Sequence, residues 1–145
     1  MSFGGPFLIA PLSSMLGIRG GMHVSIVNPP DGFMQALLPL PEGTALLDAA
    51  RTGIDLTVFF TQKKTELIER LAGLSHHMSV TGAVWVVFPH GVEGPHVPSE
   101  DFVRLAALEM GLTDTKKLML DPAWLGLRLQ RKPRAPRPET PRAEA

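Results

Sequence analysis

Two runs of the chain are apolar at nearly every position: Leu56-Thr57-Val58-Phe59-Phe60 and Ala83-Val84-Trp85-Val86-Val87-Phe88. Neither alternates apolar with polar residues, as a strand with one wet face does. Each therefore predicts a central strand covered on both faces. Between them, Gln62 to Met78 places Leu67, Leu71, Leu74 and Met78 at helical spacing, the pattern of an amphipathic helix lying on a core. Strand, helix and strand in that order read as a parallel crossover unit.

The rest of the chain extends this unit. Met22 to Val27 predicts an earlier strand, halted by the turn Asn28-Pro29-Pro30-Asp31-Gly32. A short helix is expected from Phe33 to Leu38, and Thr44 to Asp48 is a weak strand candidate. The buried strand that follows is bounded as Ile54 to Thr61, and Thr81-Gly82 reads as a break before Ala83. Ser99 is a good N-cap, followed by Glu100 and Asp101 in the favourable first turn. Phe102, Leu105, Ala106 and Met110 are expected to form that helix's inner stripe, with Gly111 at its C-terminal cap. Lys116 to Leu120 and Leu125 to Gln130 then read as an antiparallel pair that adds one reversed strand at an edge. The expected fold is α/β: a small Rossmann-like three-layer domain, mostly parallel, with a C-terminal antiparallel strand pair.

With 145 residues, 44% of them hydrophobic, the chain suits one domain. A domain of that size buries roughly 70% of its unfolded surface and needs no metal or disulfide staple. Cysteine is absent, which removes thiol nucleophiles and Cys-ligated metals together. Basic and acidic residues balance at 14 each, against a broad nucleic-acid-binding face. Residues 1–14 read as a flexible arm without a signal peptide's basic n-region, and residues 15–131 as the domain. Residues 132–145 read as a disordered Pro/Arg-rich tail, a solvated accessory whose one expected contact is weak, with anionic partners. Without that secretory signal the expected location is the cytoplasm, and no apolar run approaches the roughly 20 residues of a membrane span.

The order of elements resembles the second half of an S-adenosylmethionine-dependent methyltransferase domain, fronted by a single first strand. A more specific likeness is carried by Leu16-Gly17-Ile18 with Gly21-Met22, the Asn28-Pro29 and Gly32-Phe33 turn, and Leu38-Pro39 with Pro41-Glu42-Gly43. Further on it is carried by Gly82-Ala83-Val84-Trp85-Val86 with Pro89, Gly111-Leu112, and Asp121 with Trp124, Gly126 and Leu127. In these residues the chain resembles a family of small bacterial proteins known as domain of unknown function three-zero-five-two. The likeness spans about Leu16 to Arg131; His90-Gly91 stand where the family commonly has basic residues. What it implies is a fold rather than a reaction.

A nucleotide cofactor in such a fold needs glycines directly after the first strand. Here Pro29 and Pro30 stand there instead, removing two amide donors, while Gly17, Gly20 and Gly21 lie before the strand. Asp48 is the one weak candidate for the acidic residue expected after the next strand. No cofactor is therefore expected. His76 and His77 are adjacent, about 100° apart on a helix, and His90 and His96 have no companion carboxylate motif, so no metal is expected either. No GxSxG elbow surrounds any serine.

A pocket beyond the carboxyl ends of the parallel strands would gather Asn28, Asp31, Thr61, Gln62 and His90 as candidate ligand-binding residues. The same residues serve equally as turn formers, helix caps and loop residues. Asp121 and Trp124 form a candidate partner surface, with Trp124 as an aromatic plug the competing reading. The sequence thus predicts a non-catalytic Rossmann-like binding or interaction module that lacks a nucleotide-cofactor loop, associating as a homodimer or with a protein partner. The alternative is a small-molecule-binding protein or a methyltransferase-like enzyme using the pocket at the strand ends.

Overall fold

The computed structural model describes residues 10–132. Its elements in chain order are α1 (Leu12–Leu16), β1 (His23–Val27), α2 (Phe33–Leu37), β2 (Ala45–Leu46) and β3 (Ile54–Phe60). They continue with α3 (Lys64–His76), β4 (Met78–Pro89), α4 (Glu100–Glu109), β5 (Leu112–Asp121) and β6 (Trp124–Arg131). The six strands form one sheet in the order β2-β1-β3-β4-β6-β5. The first four strands in that order are mutually parallel, and β6 runs antiparallel to both of its neighbours.

Strand periodicity explains why the two apolar runs take the centre. On β3, Leu56, Val58 and Phe60 face the side of α1 and α2, while Phe59 faces α3 and α4. On β4, Ala83, Trp85 and Val87 face the first side and Val84, Val86 and Phe88 the second. Both faces are thus apolar because both are covered, which gives the three layers. Leu67, Leu71 and Leu74 of α3 are buried as the sequence predicts. Trp85 is fully buried and its indole N–H donates to the Leu16 carbonyl at 2.9 Å, tying α1 to the sheet. Gly126 lies opposite, where an added Cβ would come within 3.1 Å of the Trp85 ring and 3.0 Å of Leu120.

Several sequence expectations need correction. Leu12 and Ser13 are buried in α1, so the folded region starts before residue 15; residues 1–9 and 133–145 lie outside the described residues, and with them the rest of the arm and the tail. Thr81-Gly82 does not interrupt the chain, because β4 runs unbroken from Met78. Ile54 pairs with Met78 but Leu56 with Ala83, so β4 bulges locally and Gly82 fits tightly over β3. In α4 the buried residues are Val103, Ala106 and Ala107, and Leu105 is exposed. Small alanines let this helix lie close to the sheet, and that packing selects a different phase from the bulkier set. The reversed strand is β6, and it lies inside the sheet rather than at its edge. The α4 crossover carries β5 two positions beyond β4, and the two-residue turn Pro122-Ala123 returns β6 into the gap.

Candidate functional site

Strand order reverses at β1 and β3. The chain moves outward from β1 to β2, then crosses back to β3 on the other side. Crevices open beyond the carboxyl ends of strands at such a switch point. A cleft of about 670 Å³ lies there, between the turn after β1, the segment joining β3 to α3, and Trp124 at the start of β6.

Glu66, in the first turn of α3, lines this cleft. Its Oε1 accepts from the Thr61 hydroxyl at 2.7 Å and its Oε2 from the Asn28 side-chain amide at 3.0 Å. The carboxylate therefore bridges the ends of β1 and β3, and its place near the helix N-terminus suits its charge. Thr61 is buried, and its Oγ1 also lies 3.2 Å from the Lys63 carbonyl. Asn28 has φ of 57°, a left-handed conformation that asparagine tolerates better than most residues, and its amide also reaches the Phe60 carbonyl at 3.4 Å. Trp124 forms the far wall, edge-on to Phe60 at 5.4 Å, and Phe60 in turn stacks edge-on against Phe33 at 4.7 Å. Gln62, Lys63 and Glu69 complete the polar rim.

Of the five candidate ligand-binding residues, Asn28, Thr61 and Gln62 line this cleft. Asp31 and His90 do not. Pro29 and Pro30 carry the chain away, so Asp31 is an exposed residue at the approach to α2. The His90 amide donates to the Ala123 carbonyl at 2.8 Å, which ties that loop to the β5–β6 turn. Of the candidate partner surface, Trp124 belongs to the cleft, whereas Asp121 Oδ1 accepts from the Ala123 amide at 2.8 Å and shapes the turn. Sequence reasoning missed Glu66, Lys63 and Glu69. The spacing of Thr61 and Glu66 is wider than a capping box, so no local motif marked Glu66 as their shared partner.

The structure can be compared with solved ones. The chain superposes on the mitomycin 7-O-methyltransferase with a TM-score of 0.59 at 13% identity, over 79% of this chain and 49% of that one. The magnesium protoporphyrin IX methyltransferase of Synechocystis, solved with bound S-adenosylhomocysteine, gives 0.55 at 10% identity, over 83% of this chain and 78% of that one. The fold is methyltransferase-like. A protein of Sulfolobus solfataricus described as a type 11 methyltransferase matches over 88% of this chain and 94% of its own, with a TM-score of 0.59 and 14% identity. The chain spans about half the length of the mitomycin enzyme, and at these identities the likeness is one of fold. No protein-family model and no curated protein matches the sequence, so the likeness to family three-zero-five-two rests on the residues quoted above.

Such a fold implies S-adenosylmethionine, and the residues present do not fit it as a cradle. Pro29 and Pro30 offer no N–H after β1, and the Phe33 amide is committed to the Pro30 carbonyl at 3.1 Å. Asp48, the candidate ribose partner, accepts from the Ala50 amide at 2.8 Å and closes its own turn. The crevice is present, but two of the backbone donors expected after β1 are missing and a third is engaged.

No helix among the described residues is long and apolar enough to cross a membrane. Nor, among those residues, do three or more His, Asp or Glu side chains gather as a metal site would require.

Proposed function

We propose that the chain is a small-molecule-binding module of methyltransferase-like fold, whose ligand occupies the cleft between the ends of β1 and β3. The observation that carries this reading is the Glu66 carboxylate, held from both sides by Asn28 and Thr61 on the border of a cleft of about 670 Å³. Convergent polar groups around a preformed cleft are the usual composition of a ligand site. The proline-stiffened turn after β1 supports a ligand other than a nucleotide cofactor, and the role is one of binding rather than catalysis.

Native mass spectrometry of the full-length protein, as purified, tests this. A retained small molecule of definite mass is expected on the wild type and is expected to be lost from Glu66→Gln, with both proteins folded. Identical unliganded masses in the two proteins would overturn the reading. The methyltransferase-like fold itself favours a second reading, an enzyme of that class. A calorimetric titration with S-adenosylhomocysteine separates the two: the binding module gives no heat, whereas micromolar affinity would establish the second.

A further inference from the structure

The charge and ring content of the cleft narrows its ligand. Two carboxylates, Glu66 and Glu69, border it on consecutive turns of α3, while Lys63 contributes one opposing charge. Trp124 walls the same space, and the buried Phe60 ring backs it edge-on at 87°. An anion would normally be drawn to a helix N-terminus, but at α3 a side-chain carboxylate, Glu66, already stands in the first turn. The Lys64 amide, the first of the helix, is also engaged, donating to the His96 carbonyl at 2.8 Å. Glu66 itself occupies the favourable field of that terminus. Carboxylates beside an aromatic wall are the groups that recognise a positively charged nitrogen, through Coulomb attraction and through the negative face of the rings.

We infer that the cleft between β1 and β3 takes a small organic cation, with an ammonium group held by the Glu66 and Glu69 carboxylates against the Trp124 ring. This rests on the reading of the cleft as a ligand site and adds the chemical class of the ligand. Glu69 is exposed and forms no ion pair among the described residues, so its charge is available to a ligand. Lys63 opposes the bound cation, so removing its charge strengthens binding.

The two tryptophans make the test internal to the full chain. The indole N–H of Trp85 is buried and bonded to Leu16, whereas Trp124 lines the cleft. In a nitrogen–proton correlation spectrum titrated with choline, the Trp124 indole resonance moves along a saturable curve and that of Trp85 stays fixed. The neutral isostere 3,3-dimethylbutan-1-ol leaves both unmoved. Glu69→Gln weakens choline binding about five-fold, and Lys63→Gln tightens it about three-fold, as expected for single charges a few ångströms away in a screened site. Glu69 is the main probe because Glu66 also holds the ends of β1 and β3 together.

The inference is overturned if the neutral alcohol moves Trp124 as far as choline does, or if Lys63→Gln weakens binding. It is also overturned if millimolar choline leaves Trp124 unmoved. In that case a mass-spectrometric adduct that Glu66→Gln abolishes would show that the ligand class alone is wrong. Loss of both signals would remove the cleft reading as well.

Discussion

The two ends of the parallel sheet each carry a carboxylate that joins neighbouring strands, yet they are built differently. At the amino end, Asp55 on β3 accepts from the His23 amide of β1 at 2.9 Å and from the Ser79 hydroxyl of β4 at 3.0 Å. Gly82 fits over the same place, and Arg131 donates to the Ser75, Met78 and Ser79 carbonyls that end α3 and begin β4. At the carboxyl end, Glu66 makes the matching bridge between β1 and β3, but a cleft remains beside it. One end is closed by its own polar groups, and the other leaves some of them facing open space. A closed end holds the fold together; an open one is where a ligand can act.

Substitutions at the closed end should therefore lower stability, and those at the open end should change binding with little effect on folding. The largest effect is expected at Gly82. A Cβ there would stand 2.8 Å from the Ile54 carbonyl oxygen and 3.1 Å from that of Asp55, both backbone atoms that cannot swing aside. Gly82→Ala is expected to cost about 3 kcal/mol, read as a lower denaturant midpoint. Wild-type stability in that variant would mean that the bulge in β4 relaxes and the amino end is not tightly closed.

Asp55→Ala comes next. It leaves the His23 amide and Ser79 hydroxyl without their shared acceptor, at about 1.5 kcal/mol by chemical denaturation. Arg131→Ala removes three bonds to carbonyls where a helix presents partial negative charge, and about 1 kcal/mol is expected. The contrast is Glu69→Gln at the open end, where the melting temperature should remain within a degree or two of wild type, because surface changes away from packed features typically stay near 0.5 kcal/mol. A large destabilisation by Glu69→Gln would break the comparison.

The smallest effect concerns pH at neither end. Burial pushes the Glu100 carboxyl up, but hydrogen bonds and charges from Arg104 and Lys117 outweigh it and hold the group below its ordinary value of 4.5. A depressed carboxyl stabilises the fold above the unfolded-state value, and that contribution fades as pH falls below about 4.5. Denaturation midpoints for wild type and Glu100→Gln should therefore converge as pH falls through that window. A gap that stays constant across it would contradict the assignment.

The closed core was largely legible in the sequence, because burial on both faces writes itself into consecutive residues such as Val84 to Phe88. Helix phase was less so: FVRLAAL supports two apolar stripes, and only docking on the sheet chooses Val103, Ala106 and Ala107. The position of β6 depends on where a crossover lands, which no local pattern records. At the cleft, strand ends pointed to Asn28, Thr61 and Gln62, since the carboxyl ends of β1 and β3 must be neighbours. Glu66 escaped notice because its partners lie 5 and 38 residues away and meet it through the fold alone. His90 was misplaced because β6, rather than open space, lies beside the end of β4.

The chain's lack of cysteine allows the difference between the two ends to be measured directly. A single thiol is introduced at exposed Gln62 beside the cleft, or at exposed Thr81 at the far end, and its rate of alkylation is followed. The small-molecule fraction of a lysate of the source cells, freed of protein by ultrafiltration, is then added to each. The account predicts that labelling slows at Gln62→Cys and is unchanged at Thr81→Cys. Equal rates at both positions, with and without that fraction, would contradict it.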